Sequence, residues 1–294
     1  AFMLILLGLI GLIWMSDCDL LLLWKFYFGK PIESYVAGKT VWITGASSGI
    51  GEYLAYELAV AGAHLVLSAR QTDELERVKR ECVLRSKLTE ADILVIRLDV
   101  LDLDSHSVVL EKILQHFGQI DILVNNAGRT QRGTAADTSI EVMRQIIELN
   151  ALSVFSLTKT VLPYMIQRKQ GHIVVTSSLA GKSGALVSAS YSASKFAVHG
   201  WFDALRTEQY ENNINVTMVC PGPVYSNITR QAFTEVPGET YGQDIKATEK
   251  RMSTQRCAEL MAVAIANQMY EVWISPNPPL AFVYLAQYFP SLAI

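Results

Sequence analysis

From residue 41 onward the chain repeats one pattern: a short run of consecutive apolar residues, a turn of small polar residues, then a longer amphipathic stretch. The apolar runs are residues 41–43, 64–69, 93–98, 120–124, 173–176 and 216–220. Each is too short for a helix and rich in Val, Ile and Leu, which predicts strands buried on both faces. Residues 52–61, 140–149, 151–168 and 192–210 carry helical periodicity. Strands alternating with helices imply an α/β fold, a mostly parallel sheet with helices on both faces, over residues 38–275. The pattern breaks at both ends. Residues 1–15 carry no charge, a polar break Ser16-Asp17-Cys18-Asp19 follows, and residues 20–24 and 26–28 are apolar again. The tail, residues 276–294, is also largely apolar.

Chemistry-bearing residues fall where the strands end. The first strand runs into Thr44-Gly45-Ala46-Ser47-Ser48-Gly49-Ile50-Gly51 and then a helix. Strand, glycine turn and helix together present helix N-terminal amides to a pyrophosphate. The second strand ends at Arg70. An acidic residue near this point would hold a ribose 2′-hydroxyl, whereas an Arg accommodates a 2′-phosphate, so Arg70 points to NADP(H). Asp73 lies nearby, but already within the next helix. Asp99-Val100 closes the third strand, where the carboxylate can accept from an adenine amino group. The fourth ends in Asn125-Asn126-Ala127-Gly128, whose small residues let a cofactor pass close to the backbone. Ligands of open α/β sheets bind outside the carboxyl ends of the strands, so the order of these signals matters more than any one. It predicts a Rossmann-type, doubly wound sheet.

Tyr191-Ser192-Ala193-Ser194-Lys195 places a phenol and an ammonium on one helical face. A nearby cation favours the phenolate and lowers the Tyr pKa, which suits Tyr191 to proton exchange with an alcohol or ketone. Two serines, Ser177 and Ser178, end the fifth strand; each can also be a strand-end hydroxyl bonded to backbone. Asn150 follows a helical segment, where Asn commonly caps or kinks.

Taken together, the glycine turn, Asn125-Asn126-Ala127-Gly128, Asn150, Ser178, Tyr191 to Lys195 and Pro221-Gly222-Pro223-Val224 resemble, in order, the motifs of a short-chain dehydrogenase/reductase. The match covers roughly residues 38–275. Leu67-Ser68-Ala69-Arg70, Glu74 to Arg80 and Glu271-Val272-Trp273-Ile274-Ser275 further resemble the membrane-associated member 7 subgroup. The resemblance implies that Tyr191 is general acid in reduction and general base in oxidation. Lys195 would depress its pKa and hold the nicotinamide ribose. Family spacing selects Ser178, 13 residues before Tyr191, to hydrogen-bond the substrate oxygen. Asn150 would hold a water linking Lys195 to solvent. Gly45, Ser47, Ser48, Gly49, Ile50, Gly51, Arg70, Asp99, Val100, Asn126, Ala127, Gly128, Pro221, Gly222, Val224 and Ser226 would hold the cofactor together with Tyr191 and Lys195. The implied activity is an NADPH-dependent carbonyl reductase, reversible as an alcohol dehydrogenase. An NADP-binding membrane scaffold without turnover is the rival; it has no need of the complete set Asn150, Ser178, Tyr191 and Lys195.

Composition narrows the picture. Of 294 residues, 50% are hydrophobic and 18% charged, with a net charge of −3. No basic field invites nucleic acid. Cys18, Cys82, Cys220 and Cys257 form no metal or disulfide spacing, and the five histidines are scattered, so no metal is expected. Cys220 is expected in the core, and His199 in helix packing. Residues 1–15 fall short of the roughly 20 that span a bilayer, a span that upstream residues would complete. They lack the basic flank and cleavage site of a signal peptide. Residues 1–30 are therefore read as a membrane anchor with an interfacial segment around Trp24, Lys25 and Tyr27. The tail lies at the membrane interface beside the substrate entrance or packs on a second subunit. Residues 226–253 are polar and take the place of a substrate lid, whose Phe233, Val236 and Tyr241 face either an apolar ligand or helix packing. Membrane attachment suits lipophilic substrates such as steroids, retinoids or xenobiotic carbonyls at the endoplasmic reticulum membrane. The helices 151–168 and 192–210 are those through which many relatives form homodimers.

Overall fold

The computed structural model of the protein describes residues 14–244, 249 and 251–292, together with Gly8 and Gly11. Most of the expected anchor, residues 1–15, lies outside the described residues. The sheet is seven-stranded, in the order β3-β2-β1-β4-β5-β6-β7, with every neighbouring pair parallel. The elements in chain order are α1 (Leu20–Phe28), α2 (Glu33–Val36), β1 (Thr40–Thr44), α3 (Gly49–Val60), β2 (His64–Ala69), α4 (Thr72–Arg85), β3 (Ile93–Arg97), α5 (Ser105–Phe117) and β4 (Ile122–Asn125). They continue with α6 (Ile140–Ile147), a π-helical turn (Glu148–Leu152), α7 (Ser153–Arg168), β5 (Gly171–Thr176), α8 (Ala189–Glu208), β6 (Ile214–Pro221), α9 (Thr254–Ala266), β7 (Glu271–Ile274) and α10 (Pro279–Tyr288). The strand order reverses between β1 and β4, and an open sheet carries its ligand crevice at that switch point.

Side chains alternate across each strand, so one apolar run feeds two cores. Val41, Ile43, Leu65, Leu67, Ile122 and Val124 pack with Leu54 and Leu58 of α3 and with Leu260 and Met261 of α9. Trp42, Val66, Leu123, Ile173 and Val175 point the other way, onto Leu157 and Val161 of α7 and Phe202 of α8. This two-sided burial is why the strands read as unbroken hydrophobic runs rather than as alternating ones.

The N-terminal segment is docked on the domain. Asp19 caps α1 by accepting from Leu22 N at 2.9 Å, and its other oxygen accepts from Trp273 N at 2.8 Å. Asp17 pairs with Arg256 at 2.8 Å, while Cys18 and Leu22 join the first core. The polar break in the sequence is thus a latch onto β7 and α9. Among the described residues, one helical stretch, Ile140–Arg168, is long and apolar enough to cross a membrane. Its apolarity serves the core: Val142, Ile146, Leu157 and Val161 are fully or almost fully buried.

Candidate active site

The carboxyl ends of the strands open into one cleft of about 1380 Å³. Its floor is backbone. Gly45 turns the chain out of β1 with φ +66°, and Gly49 starts α3 with φ +62°, conformations that favour glycine. Gly51 is required by space: a Cβ there would stand 2.5 Å from the Gly45 carbonyl oxygen and 2.6 Å from Asn126 Nδ2. Ser48, at the N-cap of α3, makes no side-chain cap, so the first-turn amides keep their donors for a ligand. A bare helix N-terminus over a turn with no room for side chains fits the diphosphate of a dinucleotide.

The β4 loop is braced against this turn. Thr44 Oγ1 accepts from Asn126 N at 3.0 Å and from Ala127 N at 3.1 Å. Asn126 Nδ2 donates to the Thr44 carbonyl at 3.0 Å, and its Oδ1 accepts from Thr176 Oγ1 at 3.2 Å. The Asn126 side chain therefore ties β1, β4 and β5 together.

Almost all the sequence-derived positions line the cleft: Gly45, Ser47, Ser48, Gly49, Ile50, Arg70, Asp99, Val100, Asn126, Ala127, Gly128, Ser178, Tyr191, Lys195, Pro221, Gly222, Val224 and Ser226. Gly51 and Asn150 lie beneath its wall. Asn150 is fully buried in the π-helical turn. Its Nδ2 donates to the Arg129 carbonyl at 2.8 Å and to Ser194 Oγ at 3.2 Å, and its Oδ1 accepts from Arg129 N at 3.0 Å. The extra residue of a π-turn widens the helix here, which lets the amide reach across to the β4 loop.

Tyr191 and Lys195 share the first turns of α8. Lys195 Nζ donates to the Thr176 carbonyl at 2.8 Å and stands 5.8 Å from the centre of the Tyr191 ring. Burial lowers the Lys195 pKa to about 8. The Tyr191 phenol is displaced upward, against the sequence expectation. Burial raises it, and the hydrogen bond from Ser178 and the charge of Arg132 only partly offset that. The ammonium is aimed at Thr176 rather than at the phenol, so in this geometry desolvation wins. Ser178 Oγ accepts from Ala180 N at 3.1 Å and donates to the Pro221 carbonyl at 3.3 Å. The neighbouring Ser177 is buried.

Behind this wall the fold gathers groups that are scattered in sequence. His199, Cys220 and Glu271 bring ligand-type atoms within 4.8 Å of one another. They are already engaged. Cys220 Sγ lies 3.6 Å from His199 Nε2, while Glu271 takes Lys182 at 3.0 Å and Trp273 Nε1 at 2.6 Å. Hydrogen bonds from His199, which lies 3.4 Å from Glu271, and from Trp273 and Lys182 hold the Glu271 carboxyl down at about 2 despite burial. Cys220 and His199 are both buried, as expected of core and packing residues.

Several cleft residues escaped sequence reasoning. Arg129 follows Gly128 directly and Arg132 comes three residues later, and two arginines just beyond a strand-end motif are the available signal. Leu186, Phe282 and Val283 come from segments with no motif. In the lid, Phe233 lines the cleft; its N–H donates to the Thr130 carbonyl at 2.9 Å, and its carbonyl accepts from Arg132 N at 2.8 Å. Val236 is exposed instead.

The profile described as short chain dehydrogenase matches residues 39–237. The chain belongs to the short-chain dehydrogenase family. It is 49% identical over 279 residues to Dehydrogenase/reductase SDR family member 7 of Homo sapiens, spanning 95% of this chain and 82% of that one. It is 37% identical over 260 residues to family member 7B of Mus musculus, covering 88% and 80% respectively. An alcohol dehydrogenase from the archaeon Thermococcus sibiricus, complexed with 5-hydroxy-NADP, superposes with a TM-score of 0.70 at 25% identity, over 81% of this chain and 97% of that one. This short-chain dehydrogenase is an oxidoreductase of the member 7 group, working with a nicotinamide cofactor on a small-molecule substrate.

Proposed function

We propose that the protein is an NADPH-dependent reductase of lipophilic carbonyl compounds, such as steroids, retinoids or xenobiotic ketones, held at the endoplasmic reticulum membrane. The observation that carries this reading is Arg70, at the end of β2, lining the same cleft as Ser178, Tyr191 and Lys195. A guanidinium there suits a 2′-phosphate, which an acidic residue would repel. The 5-hydroxy-NADP bound by the archaeal relative is in keeping with that choice.

When bound, the cofactor supplies hydride to the substrate carbonyl carbon. The glycine turn and the first-turn amides of α3 hold its diphosphate, and the side chain of Arg70 holds its 2′-phosphate. As the substrate oxygen gains negative charge, the Tyr191 hydroxyl delivers its proton to it and Ser178 Oγ donates a hydrogen bond. Ser178 turns its proton from the Pro221 carbonyl to the substrate oxygen, and donors gathered at that point stabilise the transition state more than the ground state. The upward displacement of the Tyr191 pKa by burial keeps the phenol protonated until it transfers its proton. Lys195, which gives one of its three donors to the Thr176 carbonyl, keeps the others for the ribose hydroxyls. Asn150 fixes the Gly128-Arg129 turn that forms the facing wall. The lid excludes water; its base is closed by Met252 N donating to the Pro223 carbonyl at 3.0 Å and Tyr225 N donating to the Met252 carbonyl at 2.9 Å.

Leu149, Leu179, Leu186, Phe233, Phe282 and Val283 give the substrate end an apolar wall, which supports a lipophilic substrate. Attachment to a membrane is supported by exposed Trp24, Tyr27 and Phe28 on α1 and exposed Phe282, Tyr288 and Phe289 at the C-terminus. The apolar N-terminal run arrives beside α10, where the Trp14 carbonyl accepts from Asn277 Nδ2 at 3.0 Å. Exposed Leu152 and Phe196, beside α7 and on α8, support a homodimer through those helices.

Detergent-solubilised protein should oxidise NADPH with a panel of steroid, retinoid and aromatic carbonyls, with kcat/KM for NADPH at least tenfold that for NADH. A preference for NADH contradicts the Arg70 reading. Full release from membranes by alkaline carbonate contradicts the anchor.

A further inference from the structure

Most arginines in this protein have a carboxylate partner: Arg77 with Glu52, Arg85 with Glu81, Arg168 with Asp121, Arg256 with Asp17. Like Arg132, whose Nη1 is taken up by the Gln131 carbonyl and Ser188 Oγ, Arg129 is half-buried, lines the cofactor cleft and pairs with no carboxylate among the described residues. Its backbone is fixed on both sides by the Asn150 amide. Its side chain leans onto the lid: Nε donates to the Gln231 carbonyl at 2.7 Å, and the guanidinium lies 3.8 Å from the centre of the Phe233 ring. That leaves the two terminal nitrogens of a planar cation over the cleft. A half-buried charge without a counter-charge is costly, and an anion arriving between the glycine turn and the lid relieves the cost.

We propose that Arg129 is a cofactor-binding residue whose guanidinium contacts the diphosphate of the dinucleotide and draws the lid down upon it. The proposal rests on the dinucleotide reading of the cleft and adds a site to it. Arg70 reads the 2′-phosphate and so distinguishes NADPH from NADH. Arg129 meets the diphosphate that both carry and therefore does not discriminate. Burial, and after it the charge of Arg70, hold the Arg129 pKa below its ordinary value. The 125–132 turn and lid residues 231–233 are already tied by backbone bonds between Phe233 and Thr130 and between Arg132 and Phe233, and the Arg129 side chain adds a cofactor contact to that tie.

The test is the dissociation constant of NADPH and of NADH, from cofactor fluorescence, for wild type, Arg129→Ala, Arg129→Lys and Phe233→Leu. Tryptic cleavage after the exposed Arg230 in the lid is followed with and without cofactor. Arg129→Ala should weaken both dinucleotides about tenfold or more, by the same factor, and abolish cofactor protection of Arg230. Arg129→Lys should recover part of both, and Phe233→Leu, which keeps the charge, should change affinity less than threefold. Unchanged affinity in Arg129→Ala, or a loss confined to NADPH, overturns the assignment, as does a higher substrate KM at unchanged cofactor affinity, which would place a substrate anion there. If wild type itself binds neither dinucleotide, the reading of the cleft falls instead.

Discussion

Asn150 and Gly128 should be energetically coupled, and the structure sets the size of the effect. Asn150 satisfies both the N–H and the carbonyl of Arg129 from a fully buried position. Asn150→Ala strands both groups. At about 1–3 kcal/mol for each buried polar group left unpaired, eased where water reaches the turn, the loss is about 2–4 kcal/mol. For a domain of this size that lowers the melting temperature by about 5–10 °C. A Cβ on Gly128 would come 2.9 Å from Asn150 Oδ1, with its next contacts at 3.8 and 3.9 Å. Gly128→Ala thus has one tight contact to resolve, and resolving it pulls Oδ1 away from the Arg129 N–H, at about 1–2 kcal/mol. With Asn150 already truncated, that contact is gone, and Gly128→Ala should be neutral or stabilise slightly by stiffening the unfolded chain. The four proteins of the cycle are unfolded in urea and followed by tryptophan fluorescence. The coupling energy should be about 1–2 kcal/mol, the double mutant being more stable than the sum of its parts. Additivity within about 0.5 kcal/mol would refute the reasoning, because the contact would then not limit position 128.

Other consequences concern the cofactor and pH. Gly51→Ala, whose Cβ would stand 2.5 Å from the Gly45 carbonyl oxygen, should open the glycine turn and weaken dinucleotide binding at least tenfold in a protein that still folds, as fluorescence titration and circular dichroism would report. Arg70→Asp should raise the NADPH dissociation constant by about a hundredfold while sparing NADH; equal losses would remove Arg70 from the 2′-phosphate. Lys195, lowered by burial to about 8, is cationic below that pH and neutral above it. Reductive kcat/KM should therefore fall above about pH 8, and Lys195→Arg should lose that alkaline limb, whatever its absolute rate. In stability the sign is opposite. An unfolded lysine keeps its proton to about pH 10.4, so between the two values the unfolded state binds more protons and wild type gains stability relative to Lys195→Met as pH rises.

Much of this was legible in the chain because the chemistry sits at strand ends, and strand ends are where apolar runs stop. Thr44, Arg70, Asp99, Asn125 and Ser178 could each be located that way. Boundaries moved by a few residues for local reasons. The helix expected from residue 52 begins at Gly49, inside the glycine turn itself. The helices expected to meet at Asn150 are joined by a π-turn that no periodicity reveals. What stayed hidden is long-range. Nothing in the spacing of His199, Cys220 and Glu271 says that α8, β6 and β7 bring them together. The Tyr191–Lys195 spacing told which face the two share but not where the ammonium points, so the direction of the phenol's displacement came out reversed. Arg129 and Arg132 were passed over because their roles depend on a lid that folds back from a hundred residues away.

The most direct measurement is NADPH oxidation by detergent-solubilised Tyr191→Phe beside wild type, with NADPH affinity measured on the same samples. Loss of the hydroxyl removes the proton donor and leaves the ring in place. The reductase assignment expects turnover of a lipophilic carbonyl to fall at least a hundredfold with NADPH affinity within threefold of wild type. Turnover that survives the substitution would contradict Tyr191 as the acid, and with it the chemistry assigned to this cleft.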